Sequence, residues 1–166
     1  MIRRYLRSLP AEGEELRAGG PKPCRNGLTA TDVERAERLR EVLEALKEVN
    51  RLVPVIVEGR KDASALRRLG VDGEIIALHA GKTFYDFCED IMDRHSKVVL
   101  LMDWDPKGEQ MSQELGRRLR GHWEEFAPFR DMLRILCQKD VKDIEGIPKL
   151  LRKLEGIAGP SGPPGP

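Results

Sequence analysis

At 166 residues, 40% hydrophobic and 34% charged, the chain suits one soluble domain with a single core. Its 29 Lys and Arg nearly balance 28 Asp and Glu, so bulk charge does not mark it for a polyanion and only local clusters can. Cys24, Cys88 and Cys137 are widely spaced with no C-x-x-C pair, which argues against a zinc site or a disulfide framework and for reduced thiols in a cytoplasm. The opening "MIRRYLRSLPAEGEEL" lacks an apolar signal region, and no apolar run reaches the roughly 18 residues that span a membrane. A cytoplasmic protein is expected.

Residues 1–28, with "AGGPKPCRNG", read as an N-terminal extension, and residues 156–166, with "GPSGPPGP", as a flexible Gly/Pro tail. Between them the pattern alternates. "TDVERAERLREVLEALKEVN" predicts a helix, with capping-box spacing at Thr31 and Glu34 and an apolar stripe at Leu39, Val42, Leu43 and Leu46. "VPVIVEG" predicts a buried parallel strand, "DASALRRLG" a short helix closed by Gly70, and "EIIALH" a second strand. "TFYDFCEDIMDRH" predicts a helix, "KVVLLMDWD" a third strand and "PKGEQMSQELGRRLRGHW" another helix. "RDMLRILC" predicts a fourth strand, and "DIEGIPKLLRKLEG" a last short helix. This rhythm implies an α/β domain with a parallel sheet, whose ligands sit beyond the carboxyl ends of the strands.

That rule puts Glu58, after the first strand, on the same rim as Asp103 and Asp105, after the third. In extended chain, residues i and i+2 project to one face, so both aspartates would face away from Trp104. Three converging carboxylates need a counter-charge, and a hard cation such as Mg²⁺ supplies it while leaving room for phosphate oxygens. Plainer roles exist for all of these residues but Asp103. Asp105 before Pro106 also reads as a helix N-cap. Asp62 reads as the cap of its own helix, and Glu58 as a solvated strand end. Asp103 extends an apolar run without starting a helix. Gly59 permits a tight turn or the close approach of a ligand.

"VIVEGRKDASALRRLG" followed by "VVLLMDWDPKGE" resembles a TOPRIM domain, the catalytic core shared by topoisomerases, primases, recombination mediators and ribosomal-RNA maturation nucleases. The chain is most similar to the small, stand-alone archaeal TOPRIM proteins, with Met102 at a position usually occupied by Thr. The resemblance spans about residues 29–155. It implies a Rossmann-like fold with a four-stranded parallel sheet flanked by helices. It further implies that Glu58 is a general acid/base or metal ligand, and that Asp103 and Asp105 hold one or two Mg²⁺, with Mn²⁺ able to substitute. The partner it implies is nucleic acid, RNA or DNA.

Arg60, Lys61 and Lys107 lie nearest the rim and are candidates for phosphate contact. Arg117, Arg118 and Arg120 read as a solvated helix face, and Lys139, Lys142 and Lys149 lie further along. His79 ends a strand and could face the rim, whereas His95 and His122 read as surface residues. Tyr5 and Tyr85 read as non-catalytic. The expected activity is Mg²⁺-dependent, nuclease-type chemistry on nucleic-acid phosphodiesters. The alternative is a non-catalytic, metal-dependent nucleic-acid-binding module of a larger complex. A haloacid-dehalogenase-like phosphatase also carries D-x-D after an apolar strand, but on its first strand and followed by Thr; here Pro-Lys-Gly follows on the third.

Overall fold

The computed structural model describes residues 30–78 and 81–156. Three short strands form a parallel sheet: β1 Val55–Val57, β2 Ile75–Ala77 and β3 Val99–Leu100, in the order β2-β1-β3. Among the described residues six α-helices surround it, α1 Ala30–Asn50, α2 Arg60–Arg68, α3 Phe84–Arg94, α4 Pro106–Arg118, α5 Ala127–Cys137 and α6 Ile147–Leu154, with a 3-10 turn at Glu124–Phe126 before α5.

The two-residue period of the strands sorts their side chains between two apolar layers. Val55, Val57, Val99 and Leu101 join one layer with Leu39, Leu46, Leu66, Phe129, Leu133 and Leu150, from α1, α2, α5 and α6. Ile56, Val98, Leu100 and Met102 point the other way, onto Phe87 and Ile91 of α3 and Leu115 of α4. Both faces of the sheet are covered, as a parallel sheet requires. This explains why its strands are continuous apolar runs.

The stretch "RDMLRILC" is not a fourth strand; it forms most of α5. Phe129, Met132, Leu133, Leu136 and Cys137 are buried, a recurrence of three and four residues that belongs to a helix. A short apolar run does not separate the two alternatives when read alone. The final helix is shorter than expected as well, since Asp143–Gly146 stay outside it and α6 starts at Ile147, with Pro148 in its first turn.

Other boundaries follow local chemistry. Thr83 caps α3 by accepting the Asp86 N–H at 3.1 Å. Gly70, at φ +89, ends the turn after α2. Among the described residues no helix is long and apolar enough to cross a membrane. The expected extension, residues 157–166 of the tail, His79, Tyr5 and Cys24 lie outside the described residues.

Candidate functional site

The strand register builds the rim. Val55 pairs with Val99 and Ile56 with Leu100 in parallel, and the Leu101 N–H donates to the Ile56 carbonyl at 2.9 Å. Carried forward two residues, Glu58 comes level with Met102, one residue short of Asp103. Neighbouring strands run about 4.8 Å apart, so the chain leaves both strands at the same edge of the sheet, beyond the two-residue alternation, and the Glu58 charge acts on Asp103 there.

Asp103 is 8% exposed. Its Oδ1 accepts the Ile144 N–H at 3.0 Å. Burial pushes its carboxyl up to about 7, the Ile144 N–H opposes this, and the charges of Asp62, Glu58 and Asp143 add to the rise. Asp62 is raised as well, first by burial and then by Glu58, Asp143 and Glu145, against the pull of the Gly59 N–H. The acidic rim therefore comprises Glu58, Asp62, Asp103, Asp143 and Glu145. The last two come from the segment before α6, which sequence reasoning had placed inside a helix. Glu58 Oε1 is buried and has no hydrogen-bond partner among the described residues.

Asp105 has a different task. It is the N-cap of α4, its Oδ1 accepting the Gly108 N–H at 2.6 Å, with Pro106 at the first helical position. Asp62 sits one turn inside α2, and its Oδ2 accepts the Gly59 N–H at 3.1 Å, the return half of a capping box. The cap reading holds for Asp105, where it engages one carboxylate oxygen of the proposed ligand, whereas Asp62 is not the N-cap of its helix: α2 begins two residues earlier, at Arg60, with Gly59 as N-cap.

A frame of hydrogen bonds positions Asp103. Arg130 of α5, 9% exposed, donates from Nε to the Met102 carbonyl at 2.8 Å and from Nη2 to the Asp103 carbonyl at 2.7 Å. Nη2 also donates to Glu109 Oε1 at 2.9 Å. Since β3 is an edge strand, its carbonyls need donors that no neighbouring strand supplies. The helix standing where a fourth strand was expected supplies them from one guanidinium. Trp104 donates from Nε1 to the Val141 carbonyl at 2.7 Å and from its N–H to the Lys142 carbonyl at 3.1 Å. Those bonds hold the Asp143–Glu145 segment across the rim. Gly108 is obligatory here, because a Cβ on it would lie 2.1 Å from the Asp103 carbonyl oxygen.

Of the basic candidates, Arg60 and Lys61 are exposed in the first turn of α2 and Lys107 in that of α4. Each helix thus presents cations beside its N-terminus, where the dipole and free N–H groups already favour an anion. Arg117, Arg118 and Arg120 are exposed at the far end of α4, and Arg118 stacks over Tyr85 at 5.5 Å. Lys139, Lys142 and Lys149 are exposed too. His95 lies near Glu74 at 3.8 Å, at the end of α3. His122 follows α4, its N–H donating to the Leu119 carbonyl.

Among the described residues no group of three or more His, Cys, Asp or Glu side chains is arranged to hold a metal ion. The donor set is therefore not a closed cage. Mg²⁺ commonly binds through one or two carboxylates and completes its shell with water and phosphate. An orphaned Glu58 oxygen next to a buried, partly neutralised Asp103 fits that open mode.

Comparison with known proteins places the chain. A UPF0292 protein of Methanosarcina barkeri is 35% identical over 123 residues, 68% of this chain and 82% of its own. The chain belongs to the UPF0292 family. A second UPF0292 protein, from Thermococcus kodakarensis, is 34% identical over 117 residues, 66% of this chain and 80% of its own. Among solved structures, a putative protein from Aquifex aeolicus is similar to this UPF0292 chain with a TM-score of 0.55 and 29% identity. That similarity covers 64% of this chain and 95% of the other. No family model matches the sequence.

Proposed function

We propose that this chain is a TOPRIM-type, Mg²⁺-dependent protein that acts on nucleic-acid phosphodiesters, cleaving structured RNA or DNA. One observation carries the reading. Two adjacent parallel strands end in Glu58, with a buried oxygen lacking a partner, and in Asp103, whose buried carboxyl is pushed up to about 7. Carboxylates held this way await a positive partner.

Glu58 and Asp103 would hold one or two Mg²⁺, with Mn²⁺ as a substitute, and the ion would neutralise charge developing on the phosphoryl oxygens. Glu58 exchanges a proton with the attacking or leaving oxygen. Arg60, Lys61 and Lys107 receive the phosphates beside the N-termini of α2 and α4. Asp105, through its cap, starts α4, whose first turn carries the exposed Lys107. The Rossmann-like TOPRIM arrangement is part of this proposal, with α5 rather than a strand beside β3.

A second reading, a nucleic-acid-binding module without turnover, has an observation of its own. Asp103 and Asp105 each already accept a backbone N–H, from Ile144 and Gly108, so both work as structural anchors. An assay on structured RNA and on DNA with Mg²⁺ or Mn²⁺, run on wild type, Glu58→Gln and Asp103→Asn, separates the two. Losing a general acid/base costs about 10²- to 10⁴-fold in rate, and a fall of that size in both variants is expected. Binding that survives both substitutions, with no cleavage under either metal, would overturn the enzymatic reading and support the module.

A further inference from the structure

A groove of about 270 Å³ opens between the first turns of α1 and the end of α6, lined by Val33, Ala36, Glu37, Arg40, Leu154 and Glu155. It lies outside the acidic rim and takes no part in the proposed chemistry. Its volume is below the roughly 300–1,000 Å³ of small-molecule sites, so it suits a few inserted side chains. Val33 is 43% exposed on its wall.

We propose that this groove docks residues 1–9 of the same chain. Their sequence, MIRRYLRSL, carries Ile2, Tyr5, Leu6 and Leu9, at i, i+3, i+4 and i+7, which a helical turn gathers on one face. The other positions include Arg3, Arg4 and Arg7. The α1 side of the receiving surface carries an acidic stripe, while Arg152 and Lys153 sit in the last turn of α6. Glu34, Glu37, Glu41 and Glu44 of α1 recur at spacings of three and four and are all exposed. Glu34 pairs with Arg38 and Glu44 with Lys47, whereas Glu37 and Glu41 have no cationic partner among the described residues. Arg40 is engaged by Glu155 across the groove.

The chain connection favours this occupant. Residues 10–29 lead into α1 one turn before Val33, and twenty residues at about 3.3 Å each can reach well past the groove. Docking a tethered segment needs no high affinity, because its effective concentration is on the order of millimolar. The opposite end, IAGPSGPPGP, offers one large apolar side chain, Ile157, and no cation. It matches neither the apolar wall nor the acidic stripe.

Hydrogen exchange of the full-length protein tests this. Wild type is compared with Ile2→Glu/Leu6→Glu, Ile157→Ser and Val33→Glu, each at two protein concentrations with sedimentation in parallel. Amides in residues 31–38 and 151–156 are expected to exchange at least tenfold faster in Ile2→Glu/Leu6→Glu and unchanged in Ile157→Ser. The double variant alters residues outside the described core, so loss of the fold does not confound it. Val33→Glu changes the wall itself and is expected to reproduce the effect. Exchange equal in wild type and the double variant overturns the proposal. So does protection that grows with concentration alongside a sedimenting dimer, or protection lost only in Ile157→Ser.

Discussion

Replacing Asp103 with Asn tests the electrostatics of the rim without removing its geometry. Asn keeps an oxygen to accept the Ile144 N–H and removes the titration. The carboxyl of Asp103 is raised from 3.8 to about 7 in the folded chain, so folding favours its protonated form. The stability it contributes is fully present below 3.8 and is lost as pH rises through 7. The gap of about 3 pH units corresponds to roughly 4 kcal/mol at 1.36 kcal/mol per unit. Between pH 5 and pH 8 the advantage of the Asn variant over wild type should grow by about 3 kcal/mol, since part of the loss has already occurred at pH 5. For a chain of this size that is roughly 6–12 °C in Tm. Thermal unfolding followed by circular dichroism at pH 5, 6, 7 and 8 measures the difference directly. Carboxylates held low, such as Asp90 beside Lys82, titrate alike in both proteins and cancel. At pH 8, Mg²⁺ at ten times its dissociation constant should stabilise wild type by about 1.4 kcal/mol and leave the variant unmoved. A wild-type-to-variant difference that stays flat from pH 5 to pH 8 would refute the argument that Asp103 is buried against like charges.

Arg130→Met should destabilise the fold by about 3–5 kcal/mol, because it strands the Met102 and Asp103 carbonyls that one buried cation satisfies; urea denaturation reads the loss, and Arg130→Lys should recover part of it. The two rim glycines should behave oppositely. Gly59 has an extended backbone at φ −150, and a Cβ there meets nothing nearer than Asp62 Oδ2 at 4.0 Å, so Gly59→Ala should change stability by less than about 1 kcal/mol. If ligand backbone approach is the reason for a glycine there, that same variant should lose nucleic-acid binding in a gel-shift titration. Gly108→Ala should instead unfold the rim at lower denaturant concentration, since its Cβ has no room beside the Asp103 carbonyl.

The three strands and the helices between them were legible because each carries one dominant period. The apolar runs around Ile56 and Leu100 mark strands with two covered faces, and Thr83 and Asp105 mark helix starts with caps that the structure retains. The α5 segment was not legible as a helix because its window, Arg130–Cys137, is only eight residues long. A strand and two helical turns fit such a run equally well. The preceding Phe126 and Phe129, which stack at 6.5 Å, would have lengthened the pattern to helical scale had they been counted with it.

The acidic rim was half legible for a related reason. Glu58 and Asp103 announce themselves because each interrupts an apolar strand, and a charge at that place demands an explanation within its own stretch of sequence. Asp143 and Glu145 interrupt nothing, since "KDVKDIEG" looks like any charged connection. Trp104 bonding to the Val141 and Lys142 carbonyls, together with the Ile144 N–H on Asp103, brings that connection back over the strand ends. Arg130 was hidden more completely, because an arginine in an amphipathic stretch reads as surface until the edge of β3 is seen to lack donors. Residues that act through their own position in an element can thus be read from the chain. Those that act by completing another element's unmet hydrogen bonds or charge appear only once the two are packed together.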